Sequence, residues 1–412
     1  MNLERIINTD IEFIDGDRGQ NYPSKSDFFA KGYCVFLNTG NITKNGFDFS
    51  KLDFITEEKD KLLRKGKVKI DDIILTTRGT VGNVALVTES IKYPNMRINS
   101  GMVIIRSKKD FTPLFLNTFF RSELFKKQAL TNGSGSAQPQ LPISALKNIS
   151  IPKLDKKTQA KITSVLSALD EKIALNNQIN ATLEQMAKTL YDYWFVQFDF
   201  PDDNGKPYKS SGGEMVYNET LKRDIPKGWE VKDLSEIANI TMGQSPDGSS
   251  YNEIGKGTIF FQGSTDFNWR FPTIRQYTTQ PSRFAKKGDI LLSVRAPVGD
   301  MNIAPFDCCI GRGLACLNSK TGSDGFLFYV MKYFEQIFNR RNSEGTTFGS
   351  ITKDDLHSLQ VAVPSKTILA KFDAIVSNQS NLIFAKSEEN NQLTRLRDWL
   401  LPMLMNGQAT VQ

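Results

Sequence analysis

The sequence predicts an α+β fold in which two similar α/β domains are separated by two long helices that pack antiparallel as a coiled coil. One observation is a repeated phrase, since "DDIILTTRGTVGNVALV" from Asp71 returns, lightly altered, as "GDILLSVRAPVGDMNIA" from Gly288. A second is that a long amphipathic pattern with heptad spacing follows each copy. The third is the length of 412 residues, which exceeds what one hydrophobic core usually supports.

The two copies match beyond the first phrase. "SGMVIIRSK" from Ser100 corresponds to "RGLACLNSK" from Arg312, and "LKNISIP" ending at Pro152 corresponds to "LQVAVP" ending at Pro364. The offset falls from 217 to 212 and then, in the helical patterns that follow, to 210, as loop insertions in one copy would produce. Within the first phrase, the matched residues are Asp72, Leu75, Arg78, Val81 and Gly82 with Asp289, Leu292, Arg295, Val298 and Gly299.

Each domain should contain both strands and helices. Short apolar runs such as "DIILTT", "NVALVT" and "MVIIRS" are bounded by Gly, Asn and Asp, which predicts strands joined by tight turns. "TPLFLNTFFRSELFKKQAL" from Thr112 and "GFLFYVMKYFEQIFNRR" from Gly325 have helical spacing instead. We expect both helices to pack an aromatic face on a sheet.

The long helical patterns should form a rigid spacer of roughly 60 Å, because about forty residues rise 1.5 Å each. Asn180 and Asn390 coincide under the 210-residue offset, and a buried Asn in the seam would fix the register; two exposed asparagines are the alternative. The predicted seam residues are Leu166, Leu169, Ile173, Asn180, Leu183, Leu190 and Trp194 in the first helix and Ile383, Asn390, Leu393, Leu400 and Leu404 in the second.

These patterns divide the chain into five parts. A segment rich in Gly, Pro, Asp and Ser follows the first long helix and predicts a linker. The predicted parts are a first domain at 1–153, a central long helix at 154–196, the linker at 197–224, a second domain at 225–364, and a C-terminal long helix with a tail at 365–412.

Composition narrows the class of protein. With 39% hydrophobic and 24% charged residues the chain should be globular, and its net charge of +7 permits a polyanionic partner. The run from Lys59 to Lys69 holds six bases and one acid, as a phosphate-binding surface or an ordinary solvated surface would. No apolar stretch is long enough to span a membrane and no signal peptide is recognisable, so we expect a cytoplasmic protein. The four cysteines lack C-x-x-C pairs and should be reduced and buried.

Few residues are available for catalysis. His357 is the one histidine, and it has no cluster of possible partners around it in the sequence. Asp202 with Glu230 and Lys232 loosely fits the pattern by which nucleases hold magnesium, but such a match arises by chance in many chains. We therefore expect no catalytic residues, and no cofactor or metal bound by this chain.

Glycine-punctuated loops carrying single arginines occur at equivalent places in both copies. Arg78 precedes Gly79 and Thr80, and Arg295 holds the matching place. A guanidinium can bond a guanine edge bidentately, while Thr, Asn and Gln can bind phosphates or adenine. "NGSGSAQPQ" from Asn132 and "SEGTTFGS" from Ser343 form a second equivalent pair. Ordinary hairpin loops are the alternative interpretation.

The order of several phrases resembles the specificity subunit of type I restriction-modification enzymes over essentially the whole chain. These phrases include "IDGDRGQNYPSKSDF", "TTRGTVGNVALV", "GSAQPQLPISALKNISIP", "TLYDYWFVQFDFP", "PKGWEVKDLSEIANITMGQSP" and "LLPMLMNG". The first domain departs from the second in lacking a "PKGW" entry.

The resemblance implies two target-recognition domains, each reading one half of a split double-stranded DNA site. It also implies long helices that dock two modification subunits, which bind S-adenosylmethionine and methylate adenine, and restriction subunits that add an ATP-driven translocase and nuclease with its Mg²⁺. The candidate DNA-binding residues are Arg18, Gly19, Arg78, Gly79, Thr80, Asn99, Ser134 and Gln138 in the first domain and Gln244, Ser245, Arg295, Arg312, Thr346 and Thr347 in the second.

Three alternatives remain open at this point. A free-standing two-headed DNA-binding regulator would need no enzyme partner. A magnesium-dependent nuclease would use Asp202, Glu230 and Lys232. A plain coiled-coil scaffold would explain the helices but not the repeated arginine loops.

Overall fold

The computed structural model describes residues 3–44, 46–132, 140–295, 297–343, 350–405, 407–409 and 411. The chain divides into two compact units. The first comprises residues 1–176 and 388–412, and the second comprises residues 177–387. We call residues 3–152 the first head and residues 230–363 the second head.

The first head contains eleven strands among its described residues. They are β1 (Leu3–Arg5), β2 (Ile11–Asp15), β3 (Cys34–Leu37), β4 (Ile42–Thr43), β5 (Gly46–Phe47), β6 (Phe54–Ile55), β7 (Ile73–Thr76), β8 (Val84–Leu86), β9 (Met96–Ile98), β10 (Met102–Ser107) and β11 (Ser150–Pro152). Its helices are α1 (Glu57–Leu62), α2 (Pro113–Arg121), α3 (Glu123–Asn132) and α4 (Ile143–Lys147), and the long helix α5 (Lys156–Tyr191) follows.

The second unit has elements that correspond to those of the first head and, before them, an additional pair of strands, β12 and β13. Its strands are β12 (Met215–Asn218), β13 (Arg223–Pro226), β14 (Glu230–Asp233), β15 (Ala238–Met242), β16 (Tyr251–Asn252), β17 (Thr258–Phe261), β18 (Gln276–Thr278), β19 (Phe284–Ala285), β20 (Ile290–Ser293), β21 (Met301–Ile303), β22 (Cys308–Ile310), β23 (Leu314–Ser319) and β24 (Gln360–Val363). Its helices are α6 (Leu234–Ile237), α7 (Asp324–Ser343) and α8 (Lys353–His357). The long helix α9 (Lys366–Met405) belongs to this unit up to residue 387 and to the first unit from residue 388.

Both heads are built on one topology. An antiparallel four-stranded sheet has the order β2-β10-β7-β8 in the first head and β15-β23-β20-β21 in the second. A smaller sheet joins β3 to β9 in parallel in the first head, as β17 is joined to β22 in the second. The pair β1–β11 closes the first head as β14–β24 closes the second, so the strand pair is present without the "PKGW" entry. The predicted internal duplication is confirmed.

The central strands are buried on both faces, which explains their continuous apolar sequence. Because side chains alternate along a strand, Ile73 and Leu75 of β7 pack beside α2, whereas Ile74 packs toward the smaller sheet. The aromatic face predicted for α2 is present, since Phe115, Phe119 and Phe120 are fully buried. In the second head the matching helix α7 buries Phe326, Phe328 and Tyr329.

In each unit a part of α5 packs antiparallel against a part of α9. In the first unit Asp170 contacts Arg397 at 2.8 Å, and the Asn176 amide donates to the Asn390 amide oxygen at 2.9 Å. In the second unit the Asn180 amide donates to the Ser387 hydroxyl at 3.3 Å. None of the predicted seam residues is exposed; Leu166, Asn180, Trp194, Ile383 and Leu404 are buried, and Leu169, Ile173, Leu183, Leu190, Asn390, Leu393 and Leu400 are half-buried.

The segment predicted as a linker is a folded part of the second unit. Phe198 and Phe200 are buried beside Trp229, with ring centroids 5.4 and 5.2 Å from its indole, and β12 and β13 form a hairpin. The polar residues that suggested a linker form turns here, with Asp202 accepting from the N–H groups of Asn204 and Lys206. A connection packed in this way is anchored to its unit.

All four cysteines are free thiols and buried, as predicted. Among the described residues no helix is both long enough and apolar enough to cross a membrane.

Candidate nucleic-acid interface

Three loops of the first head emerge at one edge of the four-stranded sheet. Asp15 at the end of β2 pairs with Val103, and Thr76 at the end of β7 pairs with Met102. Because β10 is antiparallel to both neighbours, its beginning lies beside their ends. The loops 16–22, 77–83 and 99–101 therefore share this edge, which we call the first recognition edge.

Arg18 and Arg78 converge at this edge. The Arg18 guanidinium donates to the Ser100 carbonyl oxygen at 3.3 Å and pairs with Asp15 at 3.1 Å, yet half of its side chain remains exposed. The backbone of Arg78 bridges to Gln140, and its N–H donates to the Gly101 carbonyl at 3.2 Å. Both arginines and Gln140 line one shallow cavity of about 180 Å³. Two arginines that line one depression can direct their guanidinium groups to the same anionic or guanine-containing ligand.

The neighbouring candidates shape the loops. Gly79 has a φ of +71°, in the left-handed region that favours glycine, and Thr80 accepts a hydrogen bond from the Thr76 hydroxyl through its carbonyl. The Asn99 amide oxygen accepts the N–H of Gly101 at 2.9 Å. The Asn99 side-chain oxygen therefore stabilises the loop and is not free to accept a hydrogen bond from a base. Gly79 and Thr80 remain exposed.

Gly19 belongs to a loop organised by a buried carboxylate. Its N–H donates to Asp17 Oδ1 at 2.7 Å, and the N–H of Arg64 donates to Asp17 Oδ2 at 2.7 Å. Burial raises the pKa of Asp17, but these two N–H groups and the Arg64 guanidinium outweigh burial and lower the pKa to about 2. The carboxylate is therefore charged at neutral pH and fixes the conformation of the loop.

The second head presents an equivalent edge, which we call the second recognition edge, at the ends of β15 and β20 and the start of β23. The N–H of Arg312 donates to the Ser245 hydroxyl at 3.2 Å, and the N–H of Gln244 donates to the Ile310 carbonyl at 3.1 Å. The Ser293 hydroxyl donates to the Arg295 carbonyl at 2.9 Å. Gln244, Arg295 and Arg312 are exposed, and Ser245 is half-buried.

Two glycines establish that the edges are equivalent. A Cβ on Gly16 would lie 2.2 Å from the Asn99 carbonyl oxygen, and a Cβ on Gly243 would lie 2.2 Å from the Gly311 carbonyl oxygen. Such separations are far below van der Waals contact, so only glycine allows the two loops to approach each other. The first loop of each head therefore leaves its strand through the same close approach.

Four predicted residues, Ser134, Gln138, Thr346 and Thr347, lie outside the described residues. The first described residue after each of these segments forms a backbone bridge to an arginine. Gln140 bridges to Arg78, and Ser350 bridges to Arg295. The returning backbone thus meets the same arginine position in both heads.

Sequence reasoning did not select Thr39 or Arg64, and it offered Gln140 only as the last residue of the loop "NGSGSAQPQ". The position of a Cβ on Gly101 lies 2.9 Å from the Thr39 methyl group, which places Thr39 at the first recognition edge. Gln140 closes the cavity beside Arg78, and Arg64 contacts Asp17. Arg64 was recognisable only as one of the bases between Lys59 and Lys69.

The residues proposed for a nuclease have other partners. Glu230 forms an ion pair with Lys232 at 2.7 Å, and Asp202 caps its turn. Within the described part of the chain, no group of three His, Cys, Asp or Glu side chains could hold a metal ion. His357 is half-buried at the end of α8.

Comparisons with known proteins agree on one family. The family model of the type I restriction modification DNA specificity domain matches residues 10–185 and 226–395. The first match covers the first head except residues 3–9, the second covers the whole second head, and each includes most of a long helix. The chain is 31% identical over 390 residues to the putative type I restriction enzyme MjaX specificity subunit of Methanocaldococcus jannaschii, covering 90% of this chain and 86% of that protein. It is 25% identical over 462 residues to the type I restriction enzyme HindI specificity subunit of Haemophilus influenzae, covering 96% and 99%.

The fold is also that of a solved structure. The crystal structure of the type I restriction-modification system S subunit from M. genitalium matches with a TM-score of 0.57 and 17% identity, over 98% of this chain and 96% of that chain. The fold, the duplicated edges and the two family matches lead to one assignment. The chain belongs to the family of type I restriction-modification specificity subunits.

Proposed function

We propose that this chain is the non-catalytic DNA-specificity subunit of a type I restriction-modification complex. Each recognition edge reads one half of a bipartite double-stranded DNA site. The long helices set the distance between the half-sites and dock two modification subunits, to which restriction subunits are added. S-adenosylmethionine, ATP and Mg²⁺ act on those partner subunits, and this chain binds none of them.

The observation that carries the proposal is the repetition of one arginine-bearing edge on two heads of the same topology. Arg78 and Arg295 follow equivalent strands, and each bridges to the returning backbone at Gln140 or Ser350. A scaffold has no need for two such edges. The repeat is what a protein needs to read two separated DNA segments.

The test is adenine-methylation mapping in cells that express the chain with its modification subunits. The wild-type chain should direct methylation to a two-part motif with an unspecified spacer. Arg78→Ala should relax one half of this motif and Arg295→Ala the other, because a bidentate base contact contributes about 1–3 kcal/mol of discrimination. That corresponds to roughly five- to 150-fold.

The matched controls are Lys109→Ala and Lys320→Ala, which remove the same charge at the opposite ends of β10 and β23. They should leave both halves of the motif unchanged. If either arginine variant altered both halves equally, or neither half, the assignment of one half-site to each head would be wrong.

The spacer role is tested by shortening both helices together. Deleting residues 169–175 and 392–398 removes one heptad from each helix, about 10 Å at 1.5 Å per residue. The preferred spacer should change or binding should be lost. An unchanged spacer with intact binding would refute the role of the helices.

A free-standing regulator is the second candidate, and the family matches do not favour it. Co-expression with the modification subunit followed by gel filtration separates the two cases. A specificity subunit should elute in a complex, whereas a regulator would elute alone.

A further inference from the structure

A further loop of the first head, outside the three that form the first recognition edge, lies against that edge. It comprises residues 63–66 and directly follows α1. The Arg64 N–H donates to Asp17 Oδ2 at 2.7 Å, and the Arg64 guanidinium lies 3.4 Å from Asp17 Oδ1. The Asn21 amide donates to the Leu62 carbonyl at 3.4 Å. The loop is therefore fastened beside the loop that carries Arg18 and Gly19.

The backbone of this loop is held by a buried arginine. Arg97 is 5% exposed, and its guanidinium donates to the Leu63 carbonyl at 3.0 Å, to the Lys65 carbonyl at 2.7 Å and to the Asp60 side chain. The N–H of Ile98 also donates to the Gly66 carbonyl at 3.0 Å. Because the loop is anchored at both ends, it loses little conformational entropy when its exposed side chains bind a ligand.

Arg64 and Lys65 are the two bases on this loop and both are exposed, but it is Arg64 that lies beside the first recognition edge, through its contact with Asp17. The bases that flank the loop, Lys59, Lys61 and Lys67, are engaged in ion pairs of 3.2, 2.8 and 2.7 Å with neighbouring carboxylates. The Arg64 side chain is 73% exposed and meets Asp17 at the longer distance of 3.4 Å. Asp17 keeps the N–H groups of Gly19 and Arg64 if the guanidinium moves away, so a DNA phosphate can take the guanidinium without leaving the carboxylate unpaired.

The second head holds an arginine on the equivalent loop by different contacts. The Ser282 hydroxyl donates to the Gln244 carbonyl at 2.6 Å, and the Ile310 N–H donates to the Arg283 carbonyl at 2.9 Å. The latter bond is the counterpart of the bond from Ile98 to Gly66 in the first head. Arg283 is exposed, and its chain neighbour Ser282 contacts Gln244 of the second recognition edge.

We infer that the loop at 63–66 contacts the DNA backbone through Arg64, and that the equivalent loop of the second head does so through Arg283. Asp17 is the positioning residue for Arg64. The inference rests on the proposed DNA-binding function. Arg18 and Arg78 line one cavity from which Arg64 is absent. A peripheral guanidinium suits a phosphate contact, which fixes register, while convergent side chains suit base readout.

The experiment measures how the affinity of the full chain for a random-sequence duplex of about 30 base pairs depends on KCl concentration. The slope of log K against log salt is negative, and loss of one phosphate contact reduces its magnitude by about 0.9. Arg64→Ala and Arg283→Ala should each reduce the magnitude of the slope by this amount and weaken binding several-fold at fixed salt. Arg64→Lys should keep the slope. Lys109→Ala, with the same charge change at the far end of β10, should also keep it.

Asp17→Ala distinguishes positioning from simple charge. Removing a negative charge near DNA should strengthen binding if Asp17 acts only by repulsion. If Asp17 positions Arg64, Asp17→Ala should weaken binding and reduce the magnitude of the salt slope. The double variant with Arg64→Ala should then lose no more affinity than either single variant. Circular dichroism and Asp17→Asn, which keeps an acceptor oxygen, reveal any loss of folding.

Two failures are separable. If the wild-type chain shows no salt-dependent duplex binding, the proposed function itself fails. The wild-type chain could instead bind, with Arg78→Ala weakening binding. If Arg64→Ala and Arg283→Ala then left the salt slope unchanged, only the inference about Arg64 and Arg283 would be overturned.

Discussion

The buried ion pair between Arg97 and Asp60 should be the most sensitive point of the first head. Both side chains are almost fully buried, with 6% and 3% exposure. Replacing Arg97 by Met keeps much of the volume but removes the guanidinium bonds to the Asp60 side chain and to the carbonyls of Asp60, Leu63 and Lys65. Asp60 would then retain Lys67 as its ion-pair partner, at 2.7 Å.

The cost follows from the uncompensated charge. Breaking a buried pair by removing one partner costs about 3–5 kcal/mol. The remaining contact to Lys67, whose side chain is 47% exposed, should place the cost of Arg97→Met near the lower end of that range. At 1.36 kcal/mol per factor of ten, amide-exchange protection in β7 and β10 should fall by about two to three orders of magnitude.

Hydrogen exchange followed by mass spectrometry on the intact chain is the appropriate assay, because it reports on each head separately. The equivalent strands β20 and β23 of the second head serve as an internal reference and should keep their protection. Arg121→Met is the control, since Arg121 is partly exposed and lies 3.8 Å from Asp170, a pair worth less than about 1 kcal/mol. Protection in the first head that fell less than tenfold in Arg97→Met would refute the reasoning.

Three further outcomes are expected. Gly243→Ala should lower the free energy of unfolding in urea by about 1–3 kcal/mol, because its Cβ would lie 2.2 Å from the Gly311 carbonyl oxygen. Gly248→Ala is the control and should be nearly neutral, since the described residues leave open space around its Cβ. Equal effects of the two changes would contradict the close approach. Asn180→Leu should raise the thermal unfolding midpoint, because the buried Asn180 amide oxygen has no hydrogen-bond partner among the residues that the structure describes, and a lower midpoint would count against this. The cysteines should resist a disulfide reagent at pH 8 until urea is added, since burial raises the pKa of Cys308 to about 12, and rapid native labelling would show that the thiols are accessible.

The sequence was sufficient for the duplication and for its main elements. Continuous apolar runs around Ile74 and Leu291 predicted buried strands, and heptad spacing predicted the long helices, because both patterns reflect burial that is periodic along the chain. The position of Arg78 and Arg295 after equivalent strands followed from the repeated phrase. Such patterns can be recognised in a sequence because each arises from residues that are close together along the chain.

Contacts between distant segments could not be predicted in the same way. Arg64 and Asp17 meet across 47 residues, and no periodicity marks either of them. The offset of 210 aligned Asn180 with Asn390, whereas the amide of Asn176 contacts Asn390. In an antiparallel pair, partners move backward along one helix as they move forward along the other, so an alignment of repeats does not give the contacts.

The separation between the sheet and its arginines has a consequence for how new specificities arise. Arg78 and Arg295 are exposed and follow strands whose own side chains are buried. Exchanging an exposed side chain usually changes stability by no more than about 0.5 kcal/mol, so these positions are nearly free to vary. Under the proposed function, a lineage can therefore acquire a different DNA target through a few substitutions in the loops while its scaffold stays intact.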